Sequence, residues 1–297
     1  MKPTTIAFLG LGNMGGPMAG NLVRSGYAVT GFDPSDEARA AASEAGIRIA
    51  SAAEAATQAE VVVTMLPSGS HLLAALTDML PALRSGTLLI DCSTIDVDSA
   101  RAAHALAGER GHLSLDAPVS GGVGGARAAT LTFMAGGSQE ALDRGRSVLE
   151  AMGRRIVHCG GAGAGQAAKI CNNMLLGISM IGVAEAFVLA EGLGLSHQAL
   201  FDVASTSSGQ CWSLTAYCPV PGPVPTSPAN DGYKPGFAAA LMLKDLRLAA
   251  EAATATGSRT PLGAAAAELY AAFVAAGEGG TDFSGIVRHL RDDGSAG

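Results

Sequence analysis

Three short segments of the 297-residue chain gather the polar groups that could act on a small molecule. In Gly165-Gln166-Ala167-Ala168-Lys169-Ile170-Cys171-Asn172-Asn173-Met174, an amine and two adjacent carboxamides enter a run that then turns apolar. Lys169 and Asn173 are four residues apart, so on a helix they share one face. Polar groups on an otherwise apolar helix need partners or a ligand. A lysine near the start of a buried helix meets the unfavourable end of the helix dipole. Burial and dipole then both favour the neutral amine, the form that can take a proton. The alternative is a lysine reaching for water beside two capping amides, and residue types alone leave both readings open.

The second segment, Asp116-Ala117-Pro118-Val119-Ser120-Gly121-Gly122-Val123-Gly124-Gly125, puts a hydroxyl before consecutive glycines. Backbone N–H groups exposed in this way form a concavity suited to a carboxylate, with Ser120 adding a donor. A plain flexible loop is the bland alternative. The third is Lys244-Asp245 within Leu241-Met242-Leu243-Lys244-Asp245-Leu246, a charged pair inside an apolar helical run that reads equally as a surface ion pair. The six histidines, His71, His104, His112, His158, His197 and His289, sit in unrelated contexts, with neither ligand spacing nor a recurring acid pattern beside them. None is expected to be catalytic, and no metal site is expected.

A dinucleotide site is expected at the start of the chain. Gly10-Leu11-Gly12-Asn13-Met14-Gly15 follows the strand-like Thr5–Leu9 and opens a helix. That is the context in which G-x-G-x-x-G carries meaning. Gly10 allows the tight turn, Gly12 lets a pyrophosphate approach the backbone, and Gly15 lets the helix pack on the strand. Pro17 suits the first turns, where a missing N–H goes unbonded anyway. Asp33 ends the next strand, where its carboxylate can accept from ribose hydroxyls and repel a 2′-phosphate, favouring NAD over NADP. No arginine follows it immediately. The loops Met65-Leu66-Pro67-Ser68 and Asp91-Cys92-Ser93-Thr94 leave the carboxyl ends of later strands, so Leu66, Pro67 and Thr94 are candidates for the ribose–nicotinamide end.

The elements that must position these groups can be read from periodicity. Strand-like runs at Thr5–Leu9, Ala28–Phe32, Val61–Met65, Thr87–Asp91, Leu113–Asp116, Leu131–Met134 and Ile156–His158 alternate with helical runs such as Ser35–Ala45, Ser70–Leu80 and Val97–Arg110. Most of the strands are apolar on both faces, as in a parallel sheet covered by helices. After the glycine-rich stretch 160–165 only helices are expected: a long one from about Gln166 to Glu191, then Ser196–Ser207, Phe237–Ala255, Pro261–Ala275 and Phe283–Leu290. The expected fold is α/β. A Rossmann-like, doubly wound domain (1–163) precedes an all-α domain (164–297), joined by the long interdomain helix. The segment 217–236 holds six of the thirteen prolines, so it can be neither helix nor central strand.

Bulk properties narrow the function. Hydrophobic residues make up 48% and charged residues 15%, the balance of a packed globular chain. Net charge is -7 with no basic run, which argues against nucleic acid and anionic membranes as partners. The apolar stretch Met174–Leu189 is broken by Gly177, Gly182 and Glu185 and reads as a buried helix rather than a membrane span. The five cysteines form no C-x-x-C pair, which suits a reduced compartment and small buried side chains. With a strand-like run starting at Thr5 there is no targeting segment, so a cytoplasmic location is expected.

These motifs resemble the β-hydroxyacid dehydrogenase family across nearly the whole chain and in the family's order. The matching segments are 8–18, 116–122, 163–173 and 244–246. Within the family, Gly122-Val123-Gly124-Gly125-Ala126-Arg127-Ala128, Ser207-Ser208-Gly209-Gln210-Cys211-Trp212-Ser213 and the Pro-rich loop resemble the hydroxyisobutyrate-oxidising branch more than the tartronate semialdehyde reductases. The chain departs at Ala129, where the family pattern carries Gly before Thr130-Leu131. The resemblance implies oxidation of (S)-3-hydroxyisobutyrate by NAD, with Lys169 as acid/base and Asn173 orienting the substrate. Ser120, Gly121 and Gly122 would hold its carboxylate, with Trp212 beside it. Lys244 would lie near substrate and nicotinamide, supported by Asp245. The resemblance further implies a homodimer or homotetramer. Lys169 argues against an imine-reducing relative. The 6-phosphogluconate dehydrogenases share motifs but have a longer helical domain and a phosphate-binding basic cluster. A non-catalytic NAD-binding regulator is the remote alternative.

Overall fold

The computed structural model describes residues 4–292. The chain divides into two compact units, Met1–Lys169 and Ile170–Gly297.

The first unit is built on one nine-stranded sheet. Its strands are β1 (Thr5–Leu9), β2 (Ala28–Phe32), β3 (Arg48–Ile49), β4 (Val61–Thr64), β5 (Leu88–Asp91), β6 (Leu113–Asp116), β7 (Val119–Ser120), β8 (Leu131–Gly137) and β9 (Gly153–Gly160). The helices between them are α1 (Gly15–Arg24), α2 (Asp36–Glu44), α3 (Ala52–Thr57), α4 (Gly69–Met79), α5 (Val97–Glu109), α6 (Gly122–Ala128) and α7 (Gln139–Glu150). The order β3-β2-β1-β4-β5-β6 is parallel throughout. Side chains alternate across the pleat, so both faces of these strands are dry. Ile6 and Phe8 join α1 and α7 in one core, while Ala7 and Leu9 join α3, α4 and α5 in the other. β4 and β5 are buried at every position, the signature of a central parallel strand.

The sheet is not parallel to its end. β8 pairs antiparallel with β6 and β7, then parallel with β9, whose residues are largely exposed. The short β3 and β7 have too few residues to show a period, and the helices α3 and α7 likewise went unread in the sequence. More telling is α6. The run Gly122-Val123-Gly124-Gly125 contains poor helix formers and reads as a loop, yet it is helical. Tertiary contacts override propensity here: Ala126 is fully buried, and the buried Asn21 of α1 donates Nδ2–H to the Ala126 carbonyl at 2.7 Å.

The helix α8 (Ala164–Gly192) runs across the division between the units. By length and composition it could cross a membrane. It has the pattern of a core helix buried along one side. Gln166, Lys169, Asn173, Met180, Ala184 and Phe187 form its buried stripe, polar at the head and apolar beyond, whereas Leu175, Leu189 and Leu193 are exposed. The second unit continues with α9 (His197–Ala204), α10 (Trp212–Thr215), α11 (Ala239–Thr256), α12 (Pro261–Phe273) and α13 (Ile286–Asp292). Its core joins Met180, Phe187, Met242, Leu246, Tyr270 and Phe273.

The Pro-rich segment is ordered and belongs to this core. It makes a 3-10 turn at Pro228–Asp231, where the prolines had suggested no helix at all, and it buries Cys218, Val220, Val224 and Tyr233. Asp282, fully buried, holds both ends. Its Oδ2 accepts from Tyr217 Oη at 2.9 Å, Gly236 N at 2.9 Å and Phe237 N at 3.1 Å, and its Oδ1 accepts from Ser284 N and Oγ.

Ala129 ends α6 in the left-handed region, at φ 54° and ψ 38°. A β-carbon there meets the following carbonyl, a cost of about 1 kcal/mol that glycine escapes. Ala129→Gly should therefore raise the melting temperature by roughly 2–4 °C in calorimetry. An unchanged or lower value would show that this position is unstrained.

Candidate active site

The turn from β1 into α1 is shaped by what its glycines lack. Gly10 has φ +93°, and a β-carbon on it would lie 2.2 Å from the Met65 carbonyl oxygen. One on Gly15 would lie 1.8 Å from the Gly10 oxygen. Gly12 differs: a β-carbon there meets no protein atom within 4 Å, so its smallness leaves room for a ligand rather than for packing. Helices α2, α3, α4, α5 and α7 each have a Ser or Asp side chain accepting from a first-turn N–H. At α1 the residue before the helix, Met14, makes no such bond, and no acid stands in the first turn. Donors left for an anion, beside open space at Gly12, fit a pyrophosphate.

Asp33, half-buried, closes two turns at once: Oδ2 accepts from Leu11 N at 2.7 Å and Oδ1 from Ser35 N at 2.8 Å. Each oxygen keeps a lone pair for a ribose hydroxyl. Arg39, six residues on, folds back to donate to the Asp33 carbonyl at 2.6 Å and pairs with Asp36. No arginine follows Asp33 immediately, as expected, and Arg39 reaches it only at the backbone carbonyl. Arg39 is thus engaged with Asp36 and with the Asp33 carbonyl, not with the Asp33 carboxylate.

Loops from β4 and β5 form the neighbouring rim, with Leu66 and Thr94 half-buried and Pro67 exposed. They are tied together by one carboxylate. Asp91 Oδ1 accepts from Thr64 Oγ1 and Ser93 Oγ, both at 2.6 Å, and Ser93 Oγ accepts from Leu66 N at 2.8 Å. Asp91 Oδ2 is buried without a hydrogen-bond partner among the described residues. Burial pushes the Asp91 carboxyl up to about 6, and the Asp116 charge adds to the rise against the Ser93 and Thr64 hydrogen bonds.

The head of α8 is seated on β6. Asp116 accepts from Gly163 N at 2.8 Å through Oδ1 and from Gln166 N at 2.9 Å through Oδ2, satisfying amides at the helix start. His104 Nε2 lies 2.9 Å from the same carboxylate, and Ser114 Oγ lies 2.6 Å from His104 Nδ1. The sequence shows no acid near His104; the fold supplies Asp116 across the sheet edge. Gly165 permits the close seat, since a β-carbon there would lie 2.2 Å from the Met134 oxygen and 2.5 Å from the Asp116 oxygen. Lys169 follows one turn later, with 7% of its surface exposed. Ser120, paired with Thr132 in β7–β8, opens onto Gly121 and Gly122 at φ +134° and +61°.

In the second unit, the buried Asn173 donates Nδ2–H to Asp245 Oδ2 at 2.5 Å and its Oδ1 accepts from Asn172 at 3.0 Å. Asp245 is thus a partner of Asn173 and is buried, unlike a surface ion pair, while Lys244 is half-buried. Trp212 is 53% exposed and stacks on Tyr217, ring centres 4.9 Å apart. The five cysteines are unpaired, and Cys171 is exposed rather than buried. Sequence reasoning placed Asp91 and Ser93 in a loop expected to line the site without giving either a role, and it singled out neither Gln166 nor Arg39. The only available signal was for Gln166, three residues before Lys169 and so on its helix face.

A doubly wound sheet, an uncapped glycine turn and a carboxylate at the end of the second strand define a dinucleotide-binding domain. Residues 5–161 match the family described as the NAD-binding domain of 6-phosphogluconate dehydrogenase, and residues 163–290 that of NADP-dependent 3-hydroxyisobutyrate dehydrogenase. A probable 3-hydroxyisobutyrate dehydrogenase of Mycobacterium tuberculosis is 58% identical over 97% of this chain and 98% of its own. The solved 3-hydroxyisobutyrate dehydrogenase of that organism, with L-serine, superposes with a TM-score of 0.95 at 57% identity, covering 97% and 99% of the two chains. An NAD-dependent L-serine dehydrogenase of Pseudomonas aeruginosa is 48% identical over 97% of both chains. This chain belongs to the 3-hydroxyisobutyrate dehydrogenase family, a branch of the β-hydroxyacid dehydrogenases. It is an oxidoreductase of CH–OH donors that uses NAD.

Two outcomes follow from this geometry. If the Asp33 carboxylate accepts from a ribose hydroxyl, Asp33→Ala should weaken NAD by roughly 10-fold or more in fluorescence titration, and NADP less. Equal losses would remove Asp33 from cofactor choice. Asp91, with its carboxyl raised to about 6, binds its proton more tightly folded than unfolded. Stability is then lost as pH rises to 6 and is lower by on the order of 3 kcal/mol above it. Asp91→Asn keeps the Oδ1 acceptor without the charge, so chemical denaturation should find it more stable than the parent at pH 8. That gain should shrink at pH 5; a pH-independent difference would exclude a buried charge as its cause.

Proposed function

We propose that the chain oxidises (S)-3-hydroxyisobutyrate to methylmalonate semialdehyde with NAD, the reaction that serves valine breakdown, using Lys169 as general base. One observation carries this reading. Lys169 lies buried on the same stripe of α8 as Asn173, one turn beyond a helix start pinned by Asp116. Burial disfavours the charged form of an amine, which suits a lysine that takes up a proton during the reaction.

The residues divide the reaction simply. NAD, when bound, supplies the acceptor for the hydride leaving the hydroxyl-bearing carbon. Lys169 Nζ, as neutral amine, takes the hydroxyl proton as the C–O bond becomes a carbonyl, and returns it in the reverse direction. Ser120 Oγ with the Gly121 and Gly122 amides hold the substrate carboxylate. Asn173, its carboxamide orientation set by Asp245, orients the hydroxyl, and Lys244 and Trp212 complete the substrate side. Positioning and electrostatics are the protein's share of the catalysis.

L-serine is the second reading. It carries the same primary alcohol and carboxylate, with an ammonium in place of the methyl group. One relative is named for L-serine oxidation, and a solved relative holds L-serine.

Initial rates with NAD decide between them, measured side by side for (S)-3-hydroxyisobutyrate, L-serine, tartronate, 3-hydroxypropionate and threonine. The highest kcat/KM is expected for (S)-3-hydroxyisobutyrate; a higher value for L-serine would replace the substrate and leave the mechanism. In the same assay Lys169→Ala should lose roughly 10²–10⁴-fold in kcat while still binding NADH. Retained turnover would end the acid/base assignment.

A further inference from the structure

Gln166 has a fully buried side chain, and both ends of its carboxamide are used. Nε2 donates to the Ser93 carbonyl at 2.7 Å, and Oε1 accepts from Ile95 N at 3.2 Å. The amide therefore brackets Thr94 from both sides. Its own backbone N–H is held by Asp116, so its side chain springs from a fixed point. Ser93, in turn, is bound through its hydroxyl to Asp91 and to Leu66 N. A continuous polar chain thus runs from the loops at the carboxyl ends of β4 and β5 to the first turn of α8. In sheets of this kind the cofactor lies against such loops.

We propose that Gln166 is a positioning residue for catalysis: its carboxamide sets the separation between the Ser93–Ile95 loop and the helix turn that carries Lys169. This rests on Lys169 being the acid/base. Gln166 and Lys169 are three residues apart on the buried stripe, so a displacement of one moves the other. No other uncharged side chain of this length both donates and accepts. Glutamate keeps the volume but loses the donor to Ser93, and methionine loses both bonds, orphaning a buried carbonyl and amide. The geometry demanded is tight, since hydride and proton must leave one carbon and its oxygen together.

The test compares Gln166→Glu and Gln166→Met with the parent and with Lys169→Ala. The readouts are kcat, NADH affinity by fluorescence, melting temperature, and the isotope effect on kcat with substrate deuterated at the reacting carbon. Both Gln166 variants are expected to lose roughly 10²-fold in kcat, far more than any loss of NADH affinity, and to show a larger isotope effect, because misplacement slows the chemical step. The Glu variant, nearly isosteric, keeps the test usable if the Met variant folds poorly. An unchanged kcat, or one that falls only in step with NADH affinity or folded fraction, overturns the inference. If Lys169→Ala stays active, the acid/base reading fails and this inference with it. If Lys169→Ala is inactive and the Gln166 variants turn over normally, this inference alone fails.

Discussion

A carboxylate buried at the end of β6 decides where the long helix α8 starts. Asp116 takes two amides at the start of α8, and His104 stands against the same group. Amides at a helix start have no partners within the helix, so a fixed anion there both satisfies them and fixes the axis. The seat works only because Gly165 and Gly136 lack side chains: β-carbons on them would fall 2.8 Å and 2.4 Å from the Asp116 carboxylate oxygens. The first turn of the helix takes its place from that contact. Lys169 emerges one turn on, and Asn173 two turns on, along a single buried stripe.

The same economy recurs in the buried polar groups of the first unit. Asp91, Ser93 and Gln166 lie inside an otherwise aliphatic sheet domain, where unmet hydrogen bonds would be expensive. Each is therefore tied to the next, and the chain of bonds ends on the loops after β4 and β5. Asp91 bears a clear cost, with its carboxyl pushed up to about 6 and one oxygen unbonded. Local destabilisation of this kind is common where structure serves positioning rather than stability. Asp282 plays an analogous part in the second unit, where it converts a proline-rich run into a packed segment by holding both its ends.

Much of this was legible in the residues. Val61-Val62-Val63 and Leu88-Leu89-Ile90 declare central parallel strands because both faces of such a strand are dry. The glycine pattern 10-12-15 with Asp33 declares the dinucleotide turn, because only missing β-carbons permit its contacts. The change from period two to a long helical run declares the second unit, and the order of Lys169, Asn173, Lys244 and Asp245 declares the family. These are short-range properties, encoded in types and spacings that one stretch of chain carries alone.

What the tertiary structure alone decided is pairing across the sequence. Nothing local says that Gln166 reaches Ser93, 73 residues away, that Asp245 holds Asn173 across 72, or that His104 meets Asp116 across the sheet edge. The reversal of β8 and the helix at Gly122–Ala128 are also invisible locally, since neither strand direction nor a propensity-defying helix is a property of its own residues. A hydrogen bond forms where two groups are brought together, and only the closed sheet and the seated helix bring these together. Residue types therefore determined which chemistry the chain can perform, and packing determined which atoms are held close enough to perform it.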